Sequence, residues 1–490
     1  MPLSSVVSTV FELQKSAAVE PRKTRRIMKK FFVSTGLAAI SAAGLQSVSA
    51  QGLDIVSPKA WSVSGTLRGF YDDNYNIAQT SKGTWGAEIS PSVSVNIPLR
   101  QTSLGFRYYY TLYYYNDRDS MHLDPFDQAH QLEFWLDHAI NQNWKIKVTD
   151  HFAIGQEPEL FQSAGPSTPA VNYRINGDNL ANTANISLDT QWTRNLSTSL
   201  SYANNYYDYD NSGAPVALDG TLNYLGFYPV STPGFNDGIL RRIDGAPSLS
   251  GSLDRMEQNV GLDLGWTFSP ETKISVGYTF SWVNYLGNEP IAVFNYVDAA
   301  FAARSLVYYS NSRDSRSHNA HISLKHQLTA NINLALSVGA SYNDSYNDPI
   351  THSTSISPSA NASISYTYIP GSYLQLGVSQ GENSTDVVQP GLDGSITQYQ
   401  HSTSVYADLN HRFDEKWTGT LIGRFNYSTF EGGAANSESD MAYNVGLNFD
   451  YKISRHFSAD AGYNFDYLVS GLDGRGFTRN RVYLGLSANY

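Results

Sequence analysis

The sequence predicts an all-β fold: a transmembrane antiparallel up-and-down β-barrel of about 18 strands (16 is the nearest alternative), with short periplasmic turns and long extracellular loops. Three observations carry that prediction. Apolar and polar residues alternate with period two over segments well past ten residues long. The connections between those segments alternate between short and long. The N-terminal region has the layout of an export signal.

Residues 28–50 read MKKFFVSTGLAAISAAGLQSVSA. Lys29 and Lys30 form a charged leader, Phe31 to Ala43 an apolar segment of small residues, and Val48-Ser49-Ala50 fits the small-x-small cleavage rule. A short buried helix would need neither the lysines before it nor the Val-x-Ala after it. The expected organisation is an upstream extension over 1–27, a signal peptide over 28–50 and a barrel domain over 51–490 beginning at Gln51. The chain has no cysteine, so a lipid-modified anchor, disulfides and thiolate metal sites are excluded. The first 50 residues hold 7 Lys+Arg and 2 Asp+Glu, which leaves 26 basic against 42 acidic residues, a net charge of −16. An acidic chain gives no reason to expect a nucleic-acid partner.

From Trp61 onward the period is two. Val482, Leu484, Leu486, Ala488 and Tyr490 alternate with Arg481, Tyr483, Gly485, Ser487 and Asn489. Ile332, Leu334, Leu336 and Val338 alternate with Asn333, Ala335, Ser337 and Gly339. Half-buried strands of soluble sheets also alternate, but they usually run about 5 to 6 residues. A tilted strand crossing a bilayer needs about 9 to 11. Tight turns fall at 98–100, 141–143, 193–195, 269–271, 329–331, 370–371, 414–415 and 454–455. Longer polar loops lie near 72–84, 116–126, 157–179, 209–255, 287–315, 343–353, 381–398, 430–438 and 470–477. Eight turns and nine loops make 17 connections, hence 18 strands with both ends on the short-turn side. Tyr and Trp crowd the strand ends, as at Tyr108 to Tyr110, Trp144, Trp192, Trp266 and Trp417, where amphipathic rings suit the headgroup level.

The final stretch resembles the C-terminal assembly signal of outer-membrane barrels, alternating and ending on the aromatic Tyr490. The start of the barrel domain resembles that of outer-membrane β-barrel porin families. There a first strand ends in an Asp-Asp-Asn turn, here Tyr71-Asp72-Asp73-Asn74, and a descending strand follows, here Ile89-Ser90-Pro91-Ser92-Val93-Ser94-Val95. Ile356-Ser357-Pro358-Ser359 repeats that second pattern. Most such barrels are uncharacterised and some are linked to polysaccharide export. The resemblance therefore implies a barrel in the bacterial cell outer membrane more firmly than it implies a substrate.

A barrel of about 16 to 18 strands leaves an aqueous channel. The alternation turns Arg68, Arg107, Glu133, Asp137, Lys145, Lys147, Arg424 and Arg481 inward, together with Lys325 and Asp189, Asp263, Asp408, Asp450, Asp460 and Asp466. Eight acids and seven bases assign no ion selectivity to the wall. Pairing about the 141–143 turn should set Asp137 against Lys147 and Glu133 against His151, with Arg107 at a similar height. The 209–255 loop, with Asp237, Arg241, Arg242 and Asp244, is expected to fold inward and narrow the pore or to lie over it as a lid. Gly391-Leu392-Asp393-Gly394 and Gly471-Leu472-Asp473-Gly474 read as turn chemistry rather than calcium loops. The eleven histidines are scattered, and no nucleophile, base and orienting group converge, so no enzyme, metal or cofactor is expected. The expected function is passive diffusion of small hydrophilic solutes, with outer-membrane lipid and the barrel-assembly machinery as partners. The alternative is a barrel for export or anchoring of a polysaccharide, working with periplasmic partners.

Overall fold

A computed structural model describes residues 60–490 except 78, 119–123, 156–178, 210–240, 245–248, 298–302, 349–352 and 392. The expected export signal over 28–50 and upstream extension over 1–27 lie outside the described residues. The first strands are β1 (Trp61–Asp72), β2 (Thr84–Pro98), β3 (Thr102–Tyr115), β4 (Phe126–Ala139), β5 (Trp144–Gly155), β6 (Asn179–Gln191) and β7 (Leu196–Tyr209). After them come β8 (Arg241–Asp244), the short helix α1 (Leu249–Leu253), β9 (Arg255–Ser269), β10 (Thr272–Tyr285), β11 (Pro290–Val297) and β12 (Ala303–Tyr309). The chain continues with β13 (Ser315–Thr329), β14 (Ile332–Asp344), β15 (Thr354–Ile369), β16 (Ser372–Ser384) and β17 (Tyr399–Arg412). It ends with β18 (Trp417–Glu431), β19 (Ser439–Lys452), β20 (Phe457–Ser470) and β21 (Phe477–Asn489).

Eighteen of these strands form one antiparallel sheet in which each pairs with the next along the chain, and β1 pairs with β21 to close it. Closure leaves no edge, so every ladder group finds a partner without water. The eight tight turns and nine longer connections fall where the turn residues place them. At the 414–415 turn, Asp414 Oδ1 accepts hydrogen bonds from the backbone N–H of Lys416 (2.6 Å) and Trp417 (2.7 Å). Those donors hold the Asp414 carboxyl below the usual carboxylate range.

The outer wall is apolar: Leu484 is 68% exposed, Val338 61% and Leu486 58%. Their neighbours in sequence form the polar inner wall, whose Asp460, Asp466, Asn426 and Ser402 are buried. The seam between first and last strands is clasped at both ends. On the extracellular side the buried Asp72 forms an ion pair with Arg479. Beside it, Asp73 accepts from Asn480 N (2.6 Å) and Nδ2 (2.7 Å), and Asn74 Nδ2 donates to the Thr478 carbonyl (2.9 Å). The Asp-Asp-Asn motif thus ties strand β1 to strand β21. On the periplasmic side Tyr490 N donates to Val63 O (2.9 Å), and the Tyr490 and Trp61 ring centroids lie 5.8 Å apart.

The long connections depart from the irregular loops that the sequence suggests. β8, from the β7–β9 connection, pairs with β11, and β11 pairs with β12, both from the β10–β13 connection. These strands are too short to cross a bilayer; β11 and β12 pair within one loop, and only β8 finds its partner in another. Whether the 209–255 loop narrows the pore falls mostly outside the described residues, as does Asp237. The β16–β17 loop is the hub of the extracellular end. Its Val388 and Ile396 pack with Ile291, Ala292 and Tyr308, and its Val387 packs with Phe430, Ala435 and Leu472. Arg475 pairs with Asp386 (2.7 Å) and Asp440 (2.8 Å). The buried Arg313 donates to the carbonyls of Ser252 (3.0 Å), Thr385 (2.6 Å) and Gln398 (3.2 Å). Burial lowers its pKa from the ordinary guanidinium value. These contacts join loops whose strands stand several places apart in the ring, so the assembly spans part of the barrel mouth.

Candidate functional site

The inner wall concentrates the polar chemistry, and its geometry follows from register. On β4 and β5, Glu133 stands opposite His151 and Asp137 opposite Lys147; on β3 and β4, Arg107 stands opposite Glu133. Arg107 Nη1 reaches Glu133 at 3.1 Å, and its guanidinium lies over the Tyr109 and Trp135 rings. The ion pairs on β5 are diagonal. Lys145 meets Asp137 at 3.0 Å, and Lys147 meets Asp189 on β6 at 3.3 Å, although the direct register partners are Lys147 with Asp137 and Lys145 with Asp189. A lysine stem spans the roughly 7 to 8 Å between diagonal sheet neighbours, so direct opposition does not decide the pairing.

A second group gathers across the seam. Arg68 Nη1 lies 3.2 Å from Glu88 on β2, and Arg68 Nε lies 2.7 Å from Asp460 on β20. The Asp460 contact passes over β21, where Gly485 is the register partner of both residues. A Cβ at Gly485 would lie 2.5 Å from Arg68 Cγ and 2.7 Å from Asp460 Oδ1. Only glycine leaves the slot through which this pair closes. Tyr483 lies over Gly462 in the same way; its hydroxyl donates to Asn448 Oδ1 (3.0 Å), and its ring centroid is 5.0 Å from the Arg68 guanidinium. These charged and aromatic groups lie along the wall, two strands at a time.

The remaining candidates stand apart from both groups. Arg481 lies over the Phe70 (4.8 Å) and Tyr113 (5.6 Å) rings. Arg424 on β18 has Tyr406 and Asn444 as its cross-strand neighbours. The structure thus joins Arg107 to Glu133 and Lys145 to Asp137, and sets Arg68, Arg424 and Arg481 in other sectors. Three partners escape a reading of the sequence as inner-wall charges. Glu88 sits within the apolar-looking 84–97 run; the alternation of Trp85, Ala87 and Ile89 with Gly86, Glu88 and Ser90 is its signal. His321 Nε2 contacts Asp263 at 3.1 Å across the position of Gly277. Lys273 follows a turn by two residues, and only the downstream Ile274, Val276, Tyr278 alternation gives its face away. Among the described residues, no group of three or more His, Asp and Glu is placed to hold a metal ion.

A closed antiparallel barrel with an apolar outer belt and a polar inner wall defines a porin-like outer-membrane barrel. The family model described as "Putative beta-barrel porin 2" matches residues 295–490, which include the second Ile-Ser-Pro-Ser and Tyr490 but not the Asp-Asp-Asn turn. Among solved structures, the chain is similar to a BenF-like porin from Pseudomonas fluorescens Pf-5, with 12% identity, 88% of this chain and 99% of that chain covered, and a TM-score of 0.41. The outer membrane protein opdK from Pseudomonas aeruginosa gives 10% identity, 88% and 99% coverage, and a TM-score of 0.41. Acinetobacter baumannii OccAB4 gives 10% identity, 88% and 99% coverage, and a TM-score of 0.40. No curated protein matches the chain.

Proposed function

We propose that the barrel is a passive channel for small hydrophilic solutes, lined by Arg68, Arg107, Glu133, Asp137, Lys145, Lys147, Arg424 and Arg481. The observation that carries this reading is the ion-paired inner wall, where Arg68 and its partners run laterally over a glycine slot instead of projecting into the bore. A wall of that kind keeps water and charge in the lumen while its own charges stay compensated. Outer-membrane lipid covers the apolar belt, and the barrel-assembly machinery reads the last strand ending in Tyr490.

Purified protein in a planar bilayer should show a standing conductance. Arg107→Glu should keep the fold and shift the reversal potential toward cations, because lumen substitutions tune selectivity. A folded Arg107→Glu barrel with unchanged selectivity would place that residue outside the conduction path. The second reading is a barrel for export or anchoring of a polysaccharide with periplasmic partners. It is favoured by the loop assembly tied across the mouth through Arg313 and Arg475. A barrel silent in the bilayer would favour that reading over diffusion.

A further inference from the structure

We propose that the periplasmic edge of the outer wall is a binding surface for anionic phospholipid of the periplasmic leaflet, with outward-facing histidines as hydrogen-bond donors to the lipid phosphate. The proposal rests on the membrane barrel and is independent of what crosses the bore.

The histidines that look scattered along the chain are ordered once it folds. His130 and His138 on β4, His318 and His326 on β13, and His401 and His411 on β17 share the outer face with the exposed Phe126, Ile322 and Val405. The members of a pair are eight or ten residues apart, about 26 to 33 Å along a strand. Barrel strands tilt by roughly 35–45°, which brings each pair close to the height of the apolar band, about 25 Å. One ring of each pair therefore stands at either edge of the hydrocarbon. On that face only Leu132, Phe134 and Leu136 lie between the two on β4, and only Ala320, Ile322 and Leu324 on β13.

The two edges differ in what surrounds the rings. At the periplasmic edge, Nδ1 of His138 lies 2.8 Å from Thr102 Oγ1, that of His326 2.9 Å from Thr272 Oγ1, and that of His411 2.7 Å from the Tyr368 hydroxyl. A hydroxyl donating to Nδ1 leaves the neutral ring with its proton on Nε2. Among the described residues that nitrogen has no hydrogen-bond partner in any of the three. The residues that join or end strands at this edge include Arg100, Arg194, Arg412, Lys416, Lys452 and Arg455 against Glu271, Asp414 and Glu415. Glu271 lies within electrostatic reach of His326, so that ring is the weakest of the three donors. Among the corresponding residues at the extracellular end, acids outnumber bases by more than two to one. There His401 has Glu431 at 4.0 Å. A phosphate is drawn to the basic rim and repelled at the acidic one, which selects the periplasmic leaflet.

The test is the binding constant of brominated phosphatidylglycerol relative to brominated phosphatidylcholine for the full barrel in vesicles, read by quenching of tryptophan fluorescence. Trp61, Trp144, Trp192, Trp266 and Trp417 stand at or near periplasmic strand ends, so quenching reports that edge. We expect phosphatidylglycerol to bind about fivefold tighter, which is what one net hydrogen bond contributes. The ratio should fall toward one in His138→Phe/His411→Phe, which keeps aromatic rings in the belt, and should hold in His130→Phe/His318→Phe. Assembly of each is checked by heat-modifiable migration, and the single His138→Phe and His411→Phe variants are read if the double variant does not assemble. Equal binding of the two lipids by the intact barrel would overturn the proposal. So would a ratio unmoved in the assembled periplasmic-edge variants, or one that falls as far in His130→Phe/His318→Phe.

Discussion

Gly485 shows how much a single missing side chain decides. Its inner-face position lets Arg68 cross β21 to Asp460, and any Cβ there meets Arg68 Cγ at 2.5 Å. Gly485→Ala should push the guanidinium off Asp460 and into the bore, lowering single-channel conductance while the barrel still assembles. Unchanged conductance in that variant would mean that Arg68 has another route along the wall. Arg313 is a comparable case at the other end. It is buried with three carbonyls as its acceptors, and leaving buried polar groups unsatisfied costs about 1–3 kcal/mol each. Arg313 is therefore a positioning residue for the loop assembly.

Among the elements, strands β1 and β21 carry the closure. Asp72 and Arg479 are both buried at the extracellular end of their seam. Removing one partner of such a pair leaves an uncompensated charge and costs roughly 3 to 5 kcal/mol. Asp72→Ala should lower the temperature at which the folded band converts to the unfolded one in heat-modifiable electrophoresis. An unshifted transition would assign the seam's strength to the ladder alone. Strand β14 makes the complementary case. Val338 is 61% exposed on the outer wall, six residues above the first residue of its strand. Arginine placed near the bilayer midplane costs about 2–4 kcal/mol, so Val338→Arg should reduce the assembled fraction and the unfolding free energy. Equal stability of that variant would contradict the face assignment of β14.

For the whole molecule, the extracellular assembly and the bore act in series. The β16–β17 loop holds contacts to the loops of β10–β13, β18–β19 and β20–β21 through Val388, Val387 and Asp386. Deleting residues 386–397 and closing the gap with glycine should open the mouth and raise the conductance in a planar bilayer. A conductance equal to that of the intact protein would put the narrowest section elsewhere.

The sequence by itself determined the class, the strand number and the two faces. Each of those rests on short-range chemistry: the side-chain period of a strand is two, turns need Asn, Gly and Pro at fixed places, and bilayer thickness sets strand length. The same locality made the opposition of Glu133 to His151 and of Asp137 to Lys147 legible, because a tight turn fixes the register of its own hairpin. Tertiary structure alone decided which charges meet. Arg68 and Asp460 are 392 residues apart in the chain, and Asp72 and Arg479 are 407 apart. Both contacts exist only once the ring closes, and that of Arg68 with Asp460 also needs the glycine that opens a lateral path. Lys145 chose Asp137 over its register partner Asp189 because stem length, not opposition, governs reach. The sharing of one small sheet between two loops also depends on closure. Sequence spacing orders residues along the chain, whereas distance across a barrel is fixed by the circumference.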